Sequence, residues 1–102
     1  MKDTYKRPAM RHIFITGATG FVGAYLVRKL LEQNNIHLSL LVRGSKKKSA
    51  SDRVFDLLKN KSDMERITVY DGDVSKENLG LDNAAWNELT TKVNIIFHSA
   101  AS

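Results

Sequence analysis

Ile13-Phe14-Ile15-Thr16-Gly17-Ala18-Thr19-Gly20-Phe21-Val22-Gly23 is the stretch that decides the fold. Its first three residues are wholly apolar and are broken at once by Thr16-Gly17. That pattern reads as a strand covered on both faces, unlike the alternating pattern of a half-exposed one. From Phe21 the spacing changes. Val22, Leu26 and Leu30 recur every four residues, with Val27 and Leu31 beside them, and Asn34-Asn35 supplies a stop. This predicts an amphipathic helix of about three to four turns. Three glycines therefore lie between a buried strand and a helix start. There Gly17 permits the tight turn, Gly20 lets the backbone approach an anion such as a pyrophosphate, and Gly23 lets the helix press against the sheet. The unpaired N–H groups and positive dipole end of the helix can hold phosphates without a lysine. No Gly-Lys-Ser/Thr follows, which disfavours a nucleoside-triphosphatase loop. Three glycines serving only a turn and close packing are the alternative.

Working outward, Leu38 to Val42 reads as a second strand, followed by Gly44 and a polar loop from Ser45 to Ser51 that contains Lys46-Lys47-Lys48. Ser51 or Asp52 is expected to cap a short helix with Val54, Leu57 and Leu58 on its inner face. Ile67 to Tyr70 reads as a third strand ending at Asp71-Gly72-Asp73. Asp82 or Asn83 then caps a helix burying Trp86 and Leu89, and Val93 to Phe97 supplies a fourth strand. Alternation of strand and helix implies parallel pairing through right-handed crossovers. The expected fold class is α/β, a doubly wound parallel sheet of about four strands in the order 3-2-1-4, with ligands bound outside the carboxyl ends where strands 1 and 4 part. The expected organisation is a basic leader over 1–11 and one nucleotide-binding domain over 12–102. That domain is expected to be incomplete at its C-terminus, because an apolar fourth strand would be left as an edge.

Composition narrows the function. With 102 residues the chain has room for one core. It contains no cysteine and only three histidines, His12, His37 and His98, so a disulfide framework, a thiolate nucleophile and a clustered metal site are excluded or disfavoured. No stretch approaches the roughly 20 apolar residues of a membrane span, and the first twelve residues are polar and basic; a cytoplasmic location is expected. The net charge of +5 is uneven, with 13 Lys or Arg against 4 Asp or Glu in residues 1–61. An anionic partner should meet that half. Where a NAD-specific site would put an acidic residue at the end of strand 2, this chain has Arg43, whose natural partner is the 2′-phosphate of NADP.

Thr16-Gly17-Ala18-Thr19-Gly20-Phe21-Val22-Gly23, Leu41-Val42-Arg43, Gly72-Asp73-Val74 with Asn78-Leu79-Gly80-Leu81, and Phe97-His98-Ser99-Ala100-Ala101 together resemble the extended short-chain dehydrogenase/reductases of Rossmann-like fold. More narrowly, the stretch from Gly72 to Leu81 is similar to the thioester reductase and fatty acyl-CoA reductase branch, with its male-sterility-type NAD-binding domain. The resemblance implies the NADP(H)-binding portion of a reductase that passes hydride from NADPH to an acyl thioester, giving an aldehyde or alcohol. It assigns Thr16 to Gly23 to the pyrophosphate, Arg43 and Arg53 to the 2′-phosphate, Asp73 and Val74 to the adenine, and Ser99, Ala100 and Ala101 to the ribose and nicotinamide side. It puts the catalytic Tyr-x-x-x-Lys pair, the acid that hydride transfer needs, downstream. No residue here is thus expected to be catalytic and none to bind metal. His98 reads as structural. The implied partner is a thioester on coenzyme A or a carrier protein, its site outside this chain, with neither nucleic acid nor membrane expected. The rival readings are an extended dehydrogenase or epimerase acting on another substrate, and a non-catalytic NADP-binding or sensing module.

Overall fold

The structure, a computed structural model, describes residues 10–98. Its elements run β1 (Arg11–Thr16), α1 (Phe21–Leu31), β2 (Ile36–Val42), α2 (Ala50–Leu58), α3 (Lys61–Met64), β3 (Ile67–Asp71), a 3-10 segment (Glu77–Gly80), α4 (Asn83–Lys92) and β4 (Ile95–His98). The four strands form one parallel sheet in the order β3-β2-β1-β4. This is the expected doubly wound arrangement. The chain reverses direction across the sheet between β3 and β4, so the carboxyl ends of β1 and β4 diverge at the glycine loop.

Apolar runs such as Leu38-Ser39-Leu40-Leu41-Val42 look uniform, yet the two-residue period of a strand divides them between two cores. On one face Ile13, Ile15, Leu38, Leu40, Val42 and Ile67 pack under α1 and α2 with Val27 and Val54. On the other, Phe14, Leu41 and Tyr70 pack under α4 with Leu89. Ile15, Leu38 and Leu40 are fully enclosed, each contributing about 1.5–3 kcal/mol of burial. The Tyr70 hydroxyl donates to Glu88 on α4, which also pairs with Lys92 at 3.5 Å; enclosure of the phenol, with that carboxylate beside it, pushes its pKa far up.

Several local expectations are corrected. The buried stripe of α1 is Gly23, Ala24 and Val27, with Leu30 and Leu31 half-buried, and Val22 is 64% exposed. The small residues of the first turn let the helix approach closely, and that contact, more than the leucine spacing, sets its rotation. The cap of α2 is Ser49, ahead of the expected Ser51 or Asp52; its side chain accepts from the Asp52 N–H at 3.1 Å, which lets Ala50 enter the core. The short α3, capped by Asn60, has no counterpart in the sequence reading. Asp82 caps α4 as expected, but Trp86 is only half-buried. Arg66 was also unforeseen. Its guanidinium donates to the carbonyls of Leu31 at 2.8 Å, Ile36 at 3.3 Å and Gln33, binding the end of α1 to the start of β2.

At the amino ends of the strands, His12 and His37 stand with ring centroids 5.7 Å apart, and His37 Nε2 meets the Thr68 hydroxyl at 2.7 Å. Enclosure lowers the His37 pKa from 6.5, reinforced by His12, Lys92 and Arg66. The unfolded histidine takes up its proton at a higher pH than the folded one, so stability is lost as pH falls through 6.5 toward the folded value. The thermal unfolding midpoint is therefore expected to drop between about pH 7 and pH 5, and to drop less in His37→Asn. Calorimetric scans across that range check it.

Candidate functional site

The loop Gly17 to Gly20 leaves the carboxyl end of β1 in a closed turn. Gly17 has φ +74, a left-handed conformation that glycine adopts without strain, and its carbonyl accepts from the Gly20 N–H at 3.0 Å. Gly20 caps α1 with extended backbone and no side-chain bond, and the first turn carries no acidic residue. Among the described residues the N–H groups of Phe21, Val22 and Gly23 have no protein acceptor. This open helix start, positive by its dipole, suits an anion. At Gly23 a Cβ would lie 1.9 Å from the Gly17 carbonyl oxygen and 2.9 Å from Ala18 Cα, so the residue also seats the helix on its own loop.

Arg53, from α2, reaches across this loop. It donates to the Arg43 carbonyl at the end of β2 and, at 3.3 Å, to Thr19 Oγ1. It thus ties the glycine loop to the β2 exit. Beside it a cleft of about 860 Å³ runs between α1 and α2, lined in part by Gly20, Phe21, Tyr25, Arg28, Lys48 and Arg53. Lys48, from the lysine run, is spent on an ion pair with Asp56. Phe21, 96% exposed, projects from the helix start, and Ala18 lies buried beneath the loop.

The exits of β2 and β3 form a second, polar pocket of about 180 Å³ lined by Arg43, Asp71, Gly72, Asp73, Lys76 and Gly80. Gly72 N–H donates to the Val42 carbonyl and Gly44 N–H to Asp71 Oδ1, both at 3.2 Å. Asp73 Oδ1 accepts from the Ser75 N–H at 2.9 Å and hydroxyl at 2.7 Å, while Oδ2 accepts from Arg43 Nη1 at 3.1 Å. These bonds, Ser75 foremost, hold its carboxyl below the usual range. Val74 is exposed beside it. The Leu79 carbonyl receives the Asp73 N–H at 2.8 Å, an approach made possible by left-handed backbone at Asn78 and Leu79.

The structure thus brings Thr16 to Gly23, Arg43, Arg53, Asp73 and Val74 to the carboxyl side of the sheet; Ser99, Ala100 and Ala101 lie outside the described residues. Across the β1–β4 divergence Thr16 Oγ1 and His98 Nδ1 are 2.6 Å apart, so His98 has a structural partner there. Lys76 was missed as a pocket residue because only the Asp73–Gly80 turn folds it back. The spacing Tyr-x-x-x-Lys, expected nowhere in the chain, does occur at Tyr25 and Lys29. Lys29 Nζ sits 5.7 Å over the Tyr25 ring and 3.8 Å from Glu32, a solvent-side stack on the outer face of α1. No group of His, Cys, Asp and Glu among the described residues could hold a metal, and no described helix is long and apolar enough to cross a membrane.

Sheet order, glycine loop and open helix start define a dinucleotide-binding unit of the Rossmann type. The NAD-binding family described as male sterility protein matches residues 15–102, and the chain belongs to it. The ligand class is therefore a nicotinamide dinucleotide. A Drosophila melanogaster protein bearing the name fatty acyl-CoA reductase CG8306 is 41% identical over 107 aligned residues, which cover 92% of this chain and 21% of that protein. Among solved structures, the terminal R domain of the myxalamid PKS-NRPS pathway superposes with TM-score 0.79 at 30% identity, covering 93% of this chain and 25% of that one. The reductase (R) domain of a Mycobacterium tuberculosis non-ribosomal peptide synthetase gives 0.75 at 33%, covering 92% and 26%. The chain thus spans about a fifth to a quarter of these relatives.

Gly23→Ala is expected to destabilise the chain by about 2–4 kcal/mol, because the methyl meets fixed backbone. Gly20→Ala, whose Cβ would stand 3.3 Å from the Gly17 carbonyl, is expected to cost less than half as much. Urea denaturation of both variants tests the ranking.

Proposed function

We propose that this chain is the NADP(H)-binding portion of a thioester reductase, an enzyme that reduces an acyl thioester on coenzyme A or a carrier protein to an aldehyde or alcohol. The observation that carries the reading is the open start of α1 under the glycine loop, flanked by Arg43 and Arg53 at the β2 exit. NADPH, when bound, supplies the hydride. The chain's own residues bind and orient. The N–H groups of Phe21, Val22 and Gly23 hold the pyrophosphate, with Thr16, Gly17, Ala18, Thr19 and Gly20 shaping the turn that admits it. Arg43 takes the 2′-phosphate through its exposed guanidinium, and Arg53 braces both the Arg43 carbonyl and the loop, a stiffening that keeps the two phosphate seats at fixed separation. Asp73 and Val74 frame the adenine. Ser99, Ala100 and Ala101 are assigned to the ribose and nicotinamide side.

No described residue is placed as the proton donor that carbonyl reduction needs. The names of the relatives, fatty acyl-CoA reductase and R domains of peptide synthetases, support the thioester class. An exposed arginine fork on a phosphate contributes about 1.5–3 kcal/mol, so NADPH is expected to bind about ten- to a hundredfold tighter than NADH. Isothermal calorimetry should show that gap and its loss in Arg43→Ala; equal affinities for the two cofactors would sink the assignment. Thioester-dependent NADPH oxidation by these 102 residues alone is expected to be nil.

A further inference from the structure

The four charged side chains around the β2–β3 pocket cancel: Arg43 and Lys76 against Asp71 and Asp73. Their constraints differ. Asp71 is engaged with the Gly44 N–H. Asp73 is fixed through its N–H to the Leu79 carbonyl and through Oδ1 to both donors of Ser75, leaving its side chain 17% exposed. The Arg43 side chain is 74% exposed at the end of a long, rotatable stem, and the one hydrogen bond of its guanidinium among the described residues is the 3.1 Å contact to Asp73 Oδ2. Lys76 has no ion pair among the described residues. A rigid carboxylate thus holds a movable guanidinium at the rim of a pocket whose other wall carries an uncommitted ammonium.

We propose that Asp73 is an internal counter-anion, a latch that occupies Arg43 until a ligand phosphate takes its place, and that it thereby sets how strongly the pocket prefers a 2′-phosphorylated nucleotide. This rests on the reading of Arg43 as the 2′-phosphate residue. In the empty pocket the guanidinium pairs with Oδ2. A phosphate ester entering between Arg43 and Lys76 draws the guanidinium away, and its negative charge then faces the Asp73 carboxylate at close range. Discrimination is the difference between the two pairings, so it is smaller than the arginine alone would supply. No covalent bond is made or broken in this exchange, and Oδ2 is left free to accept a hydrogen bond from the nucleotide base.

The test compares adenosine 2′,5′-bisphosphate with AMP in NMR titrations of the isotope-labelled 102-residue chain. The readout is the ratio of the two affinities, which divides out any change in adenine contacts. Asp73→Asn keeps an oxygen for the Ser75 donors and removes the charge. It is expected to raise the ratio by about two- to tenfold, the range of an exposed ion pair plus a relieved repulsion. A merely structural carboxylate would lower both affinities or leave the ratio unmoved, and either result overturns the latch. If Asp73→Asn does not fold, Asp73→Ser, whose hydroxyl can accept the same turn bond, carries the same expectation. Arg43→Ala separates the layers. Loss of the bisphosphate advantage there, with Asp73→Asn unchanged, overturns the latch alone; an unchanged ratio in Arg43→Ala overturns the Arg43 reading and the latch together.

Discussion

Everything in this molecule depends on one close approach, the seating of Gly23 against the carbonyl of Gly17. It sets the rotation of α1, so that Gly23, Ala24 and Val27 face the sheet and Val22 faces water. It also points the free N–H groups of the first turn past the carboxyl end of β1. A helix seated farther out would leave those donors aimed elsewhere and would open the core beneath Val27. Packing and anion binding are thus consequences of the same contact, and a side chain at Gly23 would disturb both.

The second constraint is electrostatic. The carboxyl ends of parallel strands gather helix starts and loop amides, which attract anions. Here that end also carries Arg43, Arg53 and Lys76, and the chain answers with carboxylates placed where they restrain the cations without filling the loop. Asp73 holds Arg43, Asp56 holds Lys48, and the first turn of α1 stays free of acid. Positive charge is therefore directed toward the ligand side by what it is paired with.

Much of this was legible in the sequence because it depends on short-range pattern. The run Ile13 to Ile15, the three glycines and the alternation of strand and helix lead to the sheet order β3-β2-β1-β4 with little ambiguity. Arg43 could be placed at a strand end for the same reason. What escaped depends on contacts between distant residues or on local backbone that no residue type announces. The rotation of α1 follows from a carbonyl six residues back. The inward fold of Lys76 follows from left-handed backbone at Leu79, a residue seldom found there. The Ser49 cap lies two and three residues ahead of the equally good candidates Ser51 and Asp52, and its bond to the Asp52 N–H and the burial of Ala50 distinguish it. Arg53 read as a phosphate ligand; its bonds to Thr19 and to the Arg43 carbonyl add a bracing role that spacing alone could not suggest.

Arg66 bears on the order in which the chain can acquire its shape. The unit of β1, α1 and β2 is contiguous, and the N–H groups of Glu32 and Gln33 close the end of its helix. The carbonyls of Leu31, Gln33 and Ile36, between that helix and β2, take a guanidinium some thirty residues further along. A chain emerging in sequence from a ribosome can form the glycine turn early, yet the junction of α1 and β2 gains this brace only when Arg66 has been added. The first crossover is therefore braced by a long-range contact, made at the opposite end of the sheet from the glycine loop.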